Sequence, residues 1–180
     1  MKVGLIVGSL RKDSWNMKVA KEVVKMFEKA EADIIDIKNV PLYNKDLDGE
    51  NPNEEYTKLR KQVNEHDAFI FITPEYNRSI APALKNAIDI GSTNPSGNVW
   101  GKKPVAVFSA TISGFGAMAG NLALRQALVY VDLIPMQQPE VYLANIPKYF
   151  DENGNMVDDT KEFLKKAVKA FESHAERIIK

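Results

Sequence analysis

Phe69-Ile70-Phe71-Ile72 is an apolar run with no polar interruption, flanked by Ala68 and Thr73. A strand with one wetted face alternates apolar and polar side chains, so such a run fits a strand covered on both faces. Strands covered twice belong to parallel sheets whose crossovers are helices packed on either side. The spacing predicts further strands over 2–8, 32–37 and 104–109, and a shorter one near 139–143. Between them, Ala20, Val23, Val24 and Phe27 recur as one helix face, as do Leu84, Ala87 and Ile88. Tyr56, Leu59 and Val63 mark a weaker helix, and residues 117–131 a fourth. Leu164, Ala167, Val168, Phe171, Ala175 and Ile178 define a last one. This alternation implies a three-layer α/β sandwich, one domain over residues 1–180.

In an open parallel sheet a ligand sits beyond the carboxyl ends of the strands, where the strand order reverses. For a five-stranded order 2-1-3-4-5 that place lies between strands one and three. The loops leaving those strands, residues 9–16 and 74–79, are the most polar and singular in the chain. The first, Ser9-Leu10-Arg11-Lys12-Asp13-Ser14-Trp15-Asn16, follows an apolar strand and runs straight into a helix. A helix start carries about half a positive charge and several unpaired amides, which suits an anion. Ser9, Ser14 and Asn16 add short donors, and Arg11 adds a charged fork matched to phosphate oxygens. Helix capping alone would explain Ser14 and leave the others idle.

The second loop, Pro74-Glu75-Tyr76-Asn77-Arg78-Ser79-Ile80-Ala81-Pro82, is rigid at both ends, because proline fixes φ and biases the residue before it away from helix. Pro82 stands where a first helical position belongs. A loop held this way presents one aromatic ring and backbone amides at a fixed place. A flat heteroaromatic ligand needs such a face and such an edge, with Tyr76 as platform and the amides around Tyr76 and Asn77 as donors.

Lys+Arg and Asp+Glu balance at 24 each, so no net field attracts nucleic acid or an anionic membrane. The absence of cysteine removes disulfides, thiolate chemistry and zinc–thiolate sites, and no metal site is expected. The opening Met-Lys enters a strand at once, which leaves no room for a signal peptide, and a cytoplasmic location is expected. No apolar run approaches the roughly 18–20 residues of a membrane helix.

Gly114-x-Gly116-x-x-Ala119 matches a loose dinucleotide fingerprint, but its strand does not open a βαβ unit ending in a ribose-binding acid. The first loop lacks a Gly-Lys-Ser/Thr ending, and no Gly-x-Ser-x-Gly elbow occurs. His66 and His174 fall outside the predicted crevice and read as surface residues. Trp100 and Tyr43 lie on long connections, where they either rim the site or pack peripherally.

Three stretches carry a resemblance. They are Gly8-Ser9-Leu10-Arg11-Lys12 with Ser14 and Asn16; Pro74-Glu75-Tyr76-Asn77 with Ser79, Pro82 and Leu84-Lys85-Asn86-Ala87-Ile88-Asp89; and Leu124-Arg125-Gln126. From residue 1 to about 143 the chain resembles the NADPH-dependent FMN reductase family of flavodoxin-like quinone, azo-dye and chromate reductases. The resemblance implies non-covalent FMN, with Ser9, Arg11, Ser14 and Asn16 on its phosphate. It places Pro74, Glu75, Tyr76 and Asn77 along the flavin ring, bordered by Ser109 and by Thr111-Ile112-Ser113-Gly114. Many relatives carry a Gly-Gly pair followed by Ala-Gln in this third loop. Here the stretch reads Gly114-Phe115-Gly116-Ala117-Met118-Ala119-Gly120-Asn121, a departure from the family pattern in that loop.

The resemblance further implies an oxidoreductase that takes hydride from NADPH or NADH. Electrons would pass to a quinone, azo compound, free flavin or similar small acceptor, with ping-pong kinetics. Such chemistry belongs to the cofactor, so no side chain is assigned as catalytic. A homodimer or homotetramer is also implied, and Leu122, Leu124, Leu128, Val129 and Val131 offer more apolar surface than one sheet face covers. The competing class is a non-enzymatic electron carrier of flavodoxin type. Carriers steer docking with one-sided charge, which a net charge of zero disfavours.

Overall fold

The computed structural model describes residues 1–93 and 97–179. Its strands are β1 (Lys2–Val7), β2 (Glu31–Ile35), β3 (Ala68–Thr73), β4 (Pro104–Ala110), β5 (Ile134–Pro135) and β6 (Val141–Leu143). The helices are α1 (Trp15–Val24), α2 (Glu54–Asn64), α3 (Pro82–Ser92), α4 (Met118–Tyr130) and α5 (Asp158–Ile178). All pairings are parallel and the order is β2-β1-β3-β4-β5, with β6 also on β4. Among the described residues, no helix is long and apolar enough to cross a membrane.

The alternation of β side chains divides the core in two. Val3, Leu5, Val7, Ile70 and Ile72 face α1 and α5, meeting Val19, Val23, Leu164, Val168 and Phe171. Ile6, Phe69 and Phe71 face the other layer, meeting Leu59, Val63, Leu84, Ile88, Leu124 and Leu128. The uniformly apolar β3 is thus covered on both sides, as its sequence requires.

Three expectations change. The five expected strands become six: β6 is the strand expected near 139–143 and pairs with Phe108 to Ala110, and β5 is an additional two-residue strand on Pro104 and Val105. Pro135 and Pro139 bring no amide to a ladder, so the pairing breaks between them. Helix α1 stops at Val24, and Phe27 packs on the core from beyond its end. The histidines are not surface residues: His66 is 3% exposed and His174 8%. The ring nitrogens of His66 face the Gln62 carbonyl at 2.6 Å and Asp33 at 3.0 Å, and His174 Nε2 faces the Ile134 carbonyl at 3.0 Å. Each ring joins separate elements, which holds it inside the fold.

Trp100 and Tyr43 both pack. Trp100 is fully buried against Phe69, its ring edge-on, and donates from Nε1 to the Ile88 carbonyl at 3.0 Å. Tyr43 lies tilted on Tyr56. Nearby, Arg60 makes a two-pronged pair with Asp48 at 2.6 and 2.5 Å and donates from Nε to the Ile90 carbonyl, with both charged side chains buried. Removing one partner strands a buried charge. Asp48→Ala should therefore cost about 3–5 kcal/mol, read as a lower urea midpoint at unchanged m-value; a loss below about 1 kcal/mol would show a pair of surface character.

Candidate functional site

The register of the ladder decides where three loops leave the sheet. Val7 pairs with Ile72 and Thr73 with Ser109, so β1, β3 and β4 end at one level. The Gly8 amide extends the ladder by donating to the Ile72 carbonyl at 2.9 Å. A Cβ on Gly8 would lie 2.7 Å from Leu84 and 3.0 Å from Pro74, so only glycine lets the first loop start against the second.

Ser14 caps α1, its hydroxyl accepting from the Met17 amide at 3.1 Å. No acid occupies the first turn of α1. Among the described residues nothing accepts from the amides of Trp15 and Asn16, so they stay open to an anion. Asn16 is buried and donates from its side-chain nitrogen to the Ala110 carbonyl at 3.1 Å. That bond ties α1 to the end of β4 and uses the donor that the sequence reading assigned to phosphate.

In the second loop Tyr76 and Ser79 exchange amide–carbonyl bonds at 3.1 and 2.9 Å. Asn77 and Arg78 between them take φ values of 50° and 64°, the pair of left-handed residues that a type I′ turn requires. The Tyr76 amide is therefore engaged. The amides of Asn77 and Arg78, without acceptors among the described residues, are the free donors. Glu75 turns its carboxylate away from the crevice: Oε2 accepts from the Gly120 amide at 3.1 Å and Oε1 pairs with Arg78 at 3.2 Å. It serves as the cap that α4 lacks from its own sequence, since Ala117 precedes that helix at φ 58° without a capping side chain.

The third loop is braced from below. Ser109 is fully buried and its hydroxyl donates to the Gly116 carbonyl at 2.6 Å. Asn121, also fully buried, donates to the Val107 carbonyl at 3.2 Å and accepts from Arg125 Nε at 2.9 Å. Ser113 is exposed, and its amide donates to Thr111 at 3.3 Å. Arg78 lies 5.3 Å over the exposed ring of Phe115, joining the second and third loops from above. Tyr142 packs against Gly116 and donates to Glu140; burial, with that bond and the acid's charge, pushes its phenol up to about 12.

The result is a recess of about 120 Å³ lined by Ser9, Arg11, Ser14, Trp15 and Asn16, by Pro74 and Tyr76, and by Ala110, Thr111, Ile112 and Ile146. Arg11 and Tyr76 thus face one space. Larger clefts exist, two of about 540 Å³ among them: one at Met1, Lys2, Glu28 and Asp67, at the amino ends of the strands, and one at Met136, Gln138, Ser173 and Arg177, against α5. The carboxyl ends, where the strand order reverses, mark the site. Sequence reasoning missed Gly120 and Asn121. A Cβ on Gly120 would lie 3.0 Å from the Ser79 carbonyl and 3.1 Å from that of Pro74; the Asn121–Arg125 spacing of one helical turn was the readable sign of a braced side chain.

The family model for NADPH-dependent FMN reductase matches residues 1–148. The chain belongs to the NADPH-dependent FMN reductase family. It is an NAD(P)H-dependent oxidoreductase that uses FMN. A quinone reductase from Pseudomonas putida is 41% identical over 172 residues, covering 95% of this chain and 92% of its own. An NADPH:quinone oxidoreductase from Arabidopsis thaliana is 35% identical, covering 99% and 93%. Among solved structures, the flavoenzyme NAD(P)H:(acceptor) oxidoreductase FerB from Paracoccus denitrificans superposes at a TM-score of 0.90, with 35% identity and 98% of both chains covered.

The link between the second and third loops of this reductase is directly testable. Glu75→Ala should lower stability by about 0.5–2 kcal/mol, the worth of a helix cap. Glu75→Gln keeps an acceptor for the Gly120 amide and should recover most of that loss in the same thermal melt. Equal melts for all three proteins would show that Glu75 does not hold α4.

Proposed function

We propose that this FMN reductase passes reducing equivalents from NADPH or NADH to quinones and similar flat small molecules, over a flavin lodged at the carboxyl ends of β1, β3 and β4. The observation that carries this reading is the convergence of Arg11 and Tyr76 on one recess. FMN, when bound, supplies hydride acceptance and electron delivery. The residues present fit the group: two open amides at an acid-free helix start, an arginine beside them, and a buried polar atom of Asn16 without a partner.

In this reading Ser9, Arg11, Ser14 and the amides of Trp15 and Asn16 hold the phosphate. Pro74 and Tyr76 brace the ring, and the amides of Asn77 and Arg78 stand at its polar edge, where donors favour negative charge. Glu75 and Ser109 act through the loops they fix, and Ser113 borders the ring from the third loop. The recess is smaller than the roughly 300–1,000 Å³ of sites that enclose a ligand. The ring therefore keeps one open face, beside the exposed side chains of Tyr76, Ile112 and Phe115. Apolar, flat neighbours suit a quinone, and the relatives named as quinone reductases support that acceptor class. We place residues 1–180 in one FMN-binding domain, and the cysteine-free composition supports a cytoplasmic location.

A second copy of the chain is proposed to cover α3 and α4. Leu124 and Leu128 are buried within the fold, but Leu122, Val129 and Tyr130 are exposed, the last at 91%. Tyr130 lines a groove of about 360 Å³ together with Ile88, Ala123, Ala127 and Val131. Sedimentation at micromolar concentration should give a dimer or tetramer that Tyr130→Glu weakens; a monomer would remove this part.

The full chain loaded with FMN should oxidise NADPH steadily when a small quinone is added, whereas a carrier would show almost no turnover. Arg11→Ala should weaken FMN about 10-fold or more, the range of a charge-assisted hydrogen bond, and leave riboflavin nearly unchanged. Equal weakening of both would mean that the phosphate lies elsewhere.

A further inference from the structure

The three loops at the flavin site differ in their charge. The first carries Arg11, Lys12 and Asp13 and the second Glu75 and Arg78, whereas residues 104–124 contain no charged side chain. The outer part of that stretch is the third loop and the start of α4, where Ile112 is 66% exposed, Phe115 67% and Met118 45%. Single exposed apolar side chains are ordinary, but a group of them beside a site marks a binding surface. Their exposure is built in. The Thr111 amide donates to the Leu143 carbonyl, the Asn145 amide to the Ser113 carbonyl and the Ile146 amide to the Thr111 carbonyl, each at 3.0 Å. With the Ser109 hydroxyl on the Gly116 carbonyl, these bonds keep the loop from folding its side chains inward. Arg78 lies over the Phe115 ring, and Glu75 at 3.2 Å matches its charge.

We propose that Ile112, Phe115 and Met118 receive an apolar tail on the acceptor, so that this reductase prefers quinones carrying an alkyl or prenyl chain to compact ones. The proposal deepens the quinone reading given above and rests on it. Ile112 also lines the recess with Tyr76, so the strip begins where that reading places the acceptor ring. The hydride donor comes to the same place, but its ribose and phosphate groups find no charged partner among these three side chains. The groove beside Tyr130, proposed above for a second copy, is lined by other residues. A methylene moved from water onto an apolar surface gains binding in proportion to the area it buries. A compact quinone leaves the strip wetted, whereas a chain covers it.

The test gives 2-alkyl-1,4-benzoquinones with methyl, propyl and hexyl chains to the full-length FMN-loaded protein with NADPH. The ring is constant, so only the chain varies. From methyl to hexyl, kcat/KM for the quinone should rise at least about 10-fold, well within the roughly fourfold that each fully buried methylene is worth. Met118→Ser should lower the hexyl-to-methyl ratio by about 3-fold or more. Redox-inert 1,4-dimethoxybenzenes with the same chains should bind the same protein in the same order by isothermal titration. A flat series overturns the proposal, whether the strip stays wetted or a second copy covers it. So does a ratio that Met118→Ser and Ile112→Ser both leave whole, which would place the chain elsewhere. Should Met118→Ser not fold, the ratio for Ile112→Ser decides in the same way. Turnover of none of the three quinones would instead overturn the quinone reading, and this inference with it.

Discussion

Parallel pairing of β1, β3 and β4 in one register is the constraint from which the site follows. Because Val7 sits opposite Ile72 and Thr73 opposite Ser109, three chain exits open at the same height on the same edge. The apolar side chains enforce that register. A slip of one residue in β3 would send Ile70 and Ile72 toward α3 and Phe69 and Phe71 toward α5, emptying one layer and crowding the other. Packing in the core thus sets the position of loops that carry no core residues.

Above that edge the loops brace one another. Glu75 supplies to α4 the capping group missing from its own approach, and Ser109 holds the Gly116 carbonyl from beneath. Each such bond is worth only about 1 kcal/mol net, but they connect in series, from the second loop through α4 to the third. Against them stands the left-handed backbone of Asn77 and Arg78, which disfavours a side chain such as arginine by about 1–2 kcal/mol. The Glu75–Arg78 pair and the ring of Phe115 hold Arg78 in that conformation. The strained turn leaves two amides facing outward, the kind of donor an aromatic edge can use.

The elements, their order and the meeting of two polar loops were legible in the chain. Apolar runs marked the strands, and Pro82 marked the start of α3 because its missing amide and fixed φ belong at a first helical position. The strand near 139–143 was legible and is β6, whereas the two-residue β5 was too short to leave a pattern of its own. The third loop was opaque, because β6 and the residues after it hold it from far along the chain: the Thr111 amide donates to the Leu143 carbonyl, and the Asn145 amide to the Ser113 carbonyl.

By itself the sequence determined a doubly covered parallel sheet, a helix start suited to an anion, and a rigid aromatic loop beside it. Only the tertiary structure decided which of the polar groups in those loops remain free. Asn16, Glu75, Ser109 and the Tyr76 amide all read as ligand contacts along the chain, yet each has a hydrogen bond to a distant or folded-back partner. A sequence gives the donors and acceptors; whether one is available depends on what lies within 3 Å of it, and that is set by the packing of the sheet and its helices.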